Sequence, residues 1–115
     1  MKTNWKNTPP AAPFYAVIFI SRKSENLSGY AQMDDRMMTL AQAQPGYLGY
    51  SSLADGAKNI FISYWKDQAV IENWRQHTEH KVAKSKASTW YAYYHSLICK
   101  VESHHEFSSL AKSLI

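Results

Sequence analysis

The chain has 115 residues, 45% hydrophobic and 19% charged, which bounds it to one folded domain and excludes an intrinsically disordered chain. At this length roughly two-thirds of the unfolded surface can be buried, so a core forms without disulfides or a structural metal. The net charge of +4 is mild and scattered. Its one cluster, Lys81, Lys84 and Lys86, reads as a solvated helix face, and no nucleic-acid-binding motif accompanies it, so no nucleic-acid partner is expected.

Cys99 is the single cysteine, so no internal disulfide is possible and a reducing compartment is expected. MKTNWKNTPPAAP at the N-terminus lacks the apolar core of a secretion signal. No run reaches the ~18 apolar residues of a membrane span. The expected location is the cytoplasm, with no membrane partner.

Residues 1–13 read as a flexible tail, because Pro9, Pro10 and Pro13 cannot sit inside a helix. FYAVIFIS (14–21) is a strand with two apolar faces: Phe14, Ala16, Ile18 and Ile20 on one, Tyr15, Val17 and Phe19 on the other. Such a strand must be covered on both sides. A loop follows, with Ser28 as a candidate N-cap. Tyr30, Met33, Met37, Leu40, Ala41 and Gln44 then recur at helical spacing, and Pro45-Gly46 stops the helix.

YLGYSSLAD (47–55) is a second strand, Asp55-Gly56 a turn, and residues 58–65 a third strand. Ile60, Ile62 and Tyr64 alternate there with Phe61, Ser63 and Trp65. Asp67 is placed to cap the next helix, whose apolar side is Ala69, Val70, Ile71 and Trp74. Thr78 starts a second helical piece running to about Ser88. A fourth strand lies within residues 90–102. The C-terminal extension, 104–115, carries Phe107, Leu110, Ala111 and Leu114 at helical spacing, as a short helix or a frayed end.

The order β-α-β-β-α-β is the ferredoxin-like, split βαβ arrangement of the α+β class, expected over residues 14–103. Helices cover one side of its antiparallel sheet and leave the other open. That open face carries aliphatic and aromatic side chains, more than a monomer ordinarily exposes. Two copies are therefore expected to pack sheet to sheet in a homodimer.

The stretch NWRQHTEH (73–80) places two histidines three apart on a helix, within reach of each other. A zinc site needs a third ligand and an open position. Spacing supplies neither, and the H-E-x-x-H pattern is absent, so no metal site is expected. Cys99 alternates with Leu97 and Val101 and reads as a structural thiol. His104 and His105 lie beyond the last strand, near solvent. Neither a phosphate-binding glycine loop nor a nucleophile elbow is present.

GYAQMDDRMMTLAQAQPGYLGY, ISYWKD, NWRQHTEH and WYAYYHSLICKVE together resemble the antibiotic biosynthesis monooxygenase (ABM) domain family, over about residues 14–102. The resemblance implies a dimeric α+β barrel. It also implies a small monooxygenase, expected to be cofactor-independent, that oxidises an aromatic, phenolic or quinol-like molecule. Trp65 matches a tryptophan that lines the pocket in such relatives. Heme-degrading relatives place a heme-ligating histidine on the helix that here carries His77 and His80, so heme is the one cofactor left possible. Those relatives also use an asparagine on the first strand, and this chain has none there. A non-catalytic ligand-binding dimer on the same scaffold is the third alternative.

Cofactor-free oxygenation needs a site that holds a flat ring, a base beside an acidic hydroxyl, and stabilisation of the resulting anion. Trp65, His77 and His80 are the catalytic candidates, a neutral imidazole being a suitable base. Tyr64, Trp74, Trp90 and Tyr91 are candidate ring-stacking walls. His95, at the start of the fourth strand, is expected to border the same pocket, and Arg75 is a possible partner for the anion.

Overall fold

Two-residue alternation in four segments builds one sheet, and the computed structural model, which describes residues 2–109 (backbone alone at 78 and 79), has it five-stranded. The strands are β1 (Asn4–Trp5), β2 (Phe14–Lys23), β3 (Tyr47–Asp55), β4 (Lys58–Trp65) and β5 (Tyr91–Val101). All neighbours are antiparallel, in the spatial order β1-β3-β4-β2-β5. The helices are α1 (Tyr30–Gln42), α2 (Gln68–Arg75), α3 (Thr78–Ser85) and α4 (Ala87–Trp90). They pack on one face of the sheet, the ferredoxin-like arrangement that the element order predicts.

Register fixes which side chains share a face. Val17 lies beside Ser63 and Ile98, and Phe19 beside Phe61 and Ser96. Together with Tyr15, Trp65 and Tyr47 they form the inner face, which meets α1 and α2 through Met37, Leu40, Ala41, Val70, Ile71 and Trp74. The outer face pairs Ile18 with Ile62 and Leu97, Ile20 with Ile60 and His95, and Leu53 with Ile60. Leu53, Ile60 and Tyr93 stand exposed there.

Three local expectations change. Ser28 does not cap α1: Gly29 takes the N-cap position with φ 78°, a left-handed turn that glycine enters without steric cost, and no side chain caps the helix. The Ser28 carbonyl instead accepts a hydrogen bond from Trp90 Nε1 at 2.9 Å. The expected helical piece from Thr78 to about Ser88 is divided into α3 and α4. The proline-rich N-terminal segment contributes β1, which pairs with the edge of β3, a row of backbone groups that otherwise lacks a partner strand. Trp5 lays its ring on the outer face, 4.9 Å from Tyr64 and 6.0 Å from Phe14.

Residues 102–109 continue past β5 without regular secondary structure. They return to the N-terminal segment, where Trp5 Nε1 donates to Glu106 Oε1 at 3.1 Å. Of the expected C-terminal helix, Leu110, Ala111 and Leu114 lie outside the described residues.

Candidate functional site

Between the inner face and the helices lies a cavity of about 820 Å³, within the ~300–1,000 Å³ of small-molecule sites. Its origin is visible in the residues. The floor carries serines at 52, 63 and 96, where larger side chains would fill the space. The roof is α1, whose Met33, Met37 and Met38 face the void and none of whose residues is fully buried. Methionine's three flexible torsions let such a wall adjust its shape.

One end is built on tryptophan. Trp65, 1% exposed, closes β4 and donates from Nε1 to Ser63 Oγ at 2.8 Å. Tyr47 meets it edge-on at 5.4 Å, and Trp74 lies nearly parallel to it at 6.2 Å. Trp74 is positioned by α2, which starts as its sequence predicts: the Asp67 carboxylate accepts the Val70 amide at 2.9 Å. Ile71 and Trp74, three apart, form the buried side of that helix.

The chain bends after Arg75, with the His77 amide donating to the Trp74 carbonyl at 3.0 Å. α3 then brings the His80 ring to 4.9 Å from Trp74 and into the cavity wall. His80 is half-buried. Burial, then the charges of Lys84, Arg75 and His77, hold its pKa below the ordinary imidazole value. It is therefore neutral at pH 7 and able to accept a proton. Arg75 also lines the cavity, its guanidinium 3.9 Å from Glu72.

At the other end, Trp90 is buried and packs edge-on to Tyr30 at 5.6 Å. Tyr91 donates to the Tyr30 hydroxyl at 3.3 Å, and Lys23 Nζ lies 4.8 Å from the Tyr30 ring centroid. Burial raises the pKa of both tyrosines, and pushes that of Tyr47 up to about 12. Among the described residues, Tyr47 Oη and Ser21 Oγ are buried without a hydrogen-bond partner.

Of the sequence-predicted residues, Trp65, Trp74, His80, Trp90 and Tyr91 share this cavity. His77 packs against Trp74 at 5.5 Å but is not part of the wall. Tyr64 and His95 are corrected: both project from the outer face. Tyr64 pairs with Ala16, rests on Trp5 and shares a 2.9 Å hydrogen bond with Ser51; His95 pairs with Ile20. Adjacent strand residues point to opposite faces, so Tyr64 cannot accompany Trp65. Sequence reasoning missed Lys23, Tyr30, Asp34 and Tyr47. Tyr30 had a usable signal, as the first residue of the apolar stripe on α1.

Among the described residues no His, Cys, Asp or Glu groups gather in threes to hold a metal, and no helix is long and apolar enough to cross a membrane. A family model described as antibiotic biosynthesis monooxygenase matches residues 13–86. Uncharacterized protein YqjZ of Bacillus subtilis (strain 168) is 49% identical over 96 residues, spanning 81% of this chain and 83% of that protein. SnoaB, a cofactor-independent oxygenase from Streptomyces nogalater, superposes in a mutant form with TM-score 0.70 at 9% identity, over 81% of this chain and 97% of that one. A dimeric ferredoxin-like protein of unknown function from Thermobifida fusca gives TM-score 0.64 at 14% identity, over 83% and 97%. At such identities these two structures speak for the fold alone.

Proposed function

Since the chain belongs to the antibiotic biosynthesis monooxygenase family, we propose that it is a small cofactor-independent monooxygenase acting on an aromatic, phenolic or quinol-like molecule in this cavity. The observation that carries this is His80: an imidazole neutral at pH 7, half-buried, 4.9 Å from the Trp74 ring, in the wall of an aromatic-lined space of about 820 Å³. SnoaB, on the same fold, is described as an oxygenase that needs no cofactor.

The ring of the substrate lies among Trp65, Trp74 and the methionines of α1. His80 takes the acidic proton of an anthrone-like or quinol-like ring, leaving a ring anion beside Arg75 and Lys84, whose charges offset it. The anion passes one electron to O₂, the two radicals combine to form a carbon–oxygen bond, and the peroxide takes the proton back from the His80 imidazolium. Loss of water from the resulting hydroperoxide leaves a ring carbonyl. One oxygen atom is thus retained and the other leaves as water, with O₂ as the oxidant.

His80 can offer an imidazole to heme iron, but the inner face of β2 presents Tyr15, Val17, Phe19 and Ser21, without the asparagine of the heme-degrading relatives. The residues do not fit heme-degrading chemistry.

The functional unit in this proposal is a homodimer closed through the outer face. Leu53 at 53%, Ile60 at 39% and Tyr93 at 56% exposure are apolar groups that a second copy would cover. The Thermobifida fusca protein of the same fold is described as dimeric. Oxygen uptake by the purified full chain, with a panel of hydroxylated anthrones and quinols, tests the activity. Uptake with at least one ring supports it, and no uptake across the panel refutes it.

A further inference from the structure

Where β2 stops and β5 starts, the cavity holds a polar group remote from the tryptophan stack. Register sets Lys23 opposite Tyr91, eight positions along β2 from Tyr15, the neighbour of Trp65. At ~3.3 Å per residue that separation is about 26 Å of strand. α1 begins over this end, with Tyr30 as its first residue. Lys23, Tyr30, Asp34 and Tyr91 all line the cavity.

The direction of the tyrosine hydrogen bond decides what the group can do. A phenol has one proton to give and lone pairs to receive. Tyr91 donates and Tyr30 accepts, at 3.3 Å. The proton of Tyr30 is left for another acceptor, and no hydrogen bond among the described residues takes it. Receiving one hydrogen bond strengthens the one that Tyr30 gives. Burial keeps both phenols protonated well above neutral pH, so the donor persists throughout ordinary conditions.

Charge at this end is balanced. Lys23 faces the charge of Asp34, one turn along α1, whose pKa burial holds above the ordinary carboxylate value against the opposing pull of Lys23. Trp90, tied through Nε1 to the Ser28 carbonyl, holds the Tyr30 ring from the side. The result is a rigid neutral donor set in an aromatic wall.

We propose that the Tyr30 hydroxyl, backed by Tyr91, is a specificity-determining subsite that receives the neutral carbonyl oxygen of a fused-ring ligand, such as a ring ketone or quinone. The proposal rests on the cavity being the ligand site; it does not rest on oxygenase turnover.

Binding of fluorenone and fluorene to the full chain tests this, because the two probes share a ring system and differ by one carbonyl. Titration by tryptophan fluorescence or calorimetry is expected to give ~3–10-fold tighter binding of fluorenone, the worth of one hydrogen bond. Tyr30→Phe is expected to abolish that preference while leaving fluorene binding unchanged. Tyr91→Phe reduces the preference, and His80→Ala keeps it. Equal affinity for the two probes in the wild type overturns the subsite alone, as does a preference that survives in Tyr30→Phe. Tighter binding of fluorene-9-carboxylate than of fluorenone would mean that an anion is read, and overturns the assignment to a neutral carbonyl. If neither ring binds, the subsite falls together with the cavity reading.

Discussion

Replacing Gly46 with alanine should disturb the tryptophan end of the cavity from a distance. Gly46 has φ 86°, where an L side chain costs ~1–2 kcal/mol. An added Cβ would meet Val70 Cγ2 at 2.6 Å and Cγ1 at 2.9 Å. Valine is stiff at χ1 and cannot swing aside cheaply. Overpacking of this kind costs a further ~1–3 kcal/mol, so Gly46→Ala should lose about 2–5 kcal/mol in all. Val70→Ala alone removes two carbons from a half-buried position and should cost about 1 kcal/mol. The double variant keeps the backbone cost but loses both close contacts. It should therefore be more stable than the sum of the single changes by about 1–3 kcal/mol, a coupling that neighbours in contact can show. Urea unfolding with an unchanged m-value measures all three. Additivity within ~0.5 kcal/mol would refute the steric reasoning. So would a Gly46→Ala cost below about 1 kcal/mol, the floor set by the left-handed backbone alone.

Other expectations follow from single groups. Asp67→Ala should destabilise α2 by about 1 kcal/mol, and Asp67→Asn by less, because an amide oxygen still accepts the Val70 amide; equal losses in thermal melts would discount the cap. The lowered pKa of His80 puts the acid limb of kcat/KM below ~6.5. The unfolded chain then takes up that proton first, so His80 contributes a loss of stability as pH falls from ~6.5 through the folded pKa, and none above. An acid limb at or above 6.5 would count against His80 as the base. Charging the outer face, with Ile18→Glu and Ile62→Glu together, should reduce the sedimenting mass from twice the 13.2 kDa chain mass to one; wild type that is already monomeric at micromolar concentration would remove the dimer proposal.

Much of the fold was legible because the strands alternate cleanly. Phe14, Ala16, Ile18 and Ile20 separate from Tyr15, Val17 and Phe19 in the sequence as they do across the sheet. Asp67 announced α2 because its cap is a local interaction, settled within three residues. Ser28 failed for the converse reason: its carbonyl is used by Trp90, 62 positions away, and glycine beside it could turn more tightly. β1 was not legible, since two residues carry no period and Trp5 is held by rings from other elements.

Trp65 and His80 were marked in the sequence by the family resemblance and Trp74 by the apolar side of its helix, and all three line the cavity. The placement of Tyr64 beside Trp65 ignored the alternation that the strand itself displays. The Tyr30–Tyr91 pair lay beyond reach, because 61 positions separate two residues that only the tertiary fold brings to 3.3 Å.

The central claim is that His80 starts an oxygenation needing no cofactor. Oxygen uptake measured with a hydroxylated anthrone and protein stripped of metals and flavin tests it most directly, in the wild type and in His80→Gln. Uptake by the wild type that falls at least ~100-fold in the variant, the usual worth of a general base, is the predicted result. Uptake that His80→Gln leaves unchanged, or that depends on an added metal, flavin or heme, would contradict it.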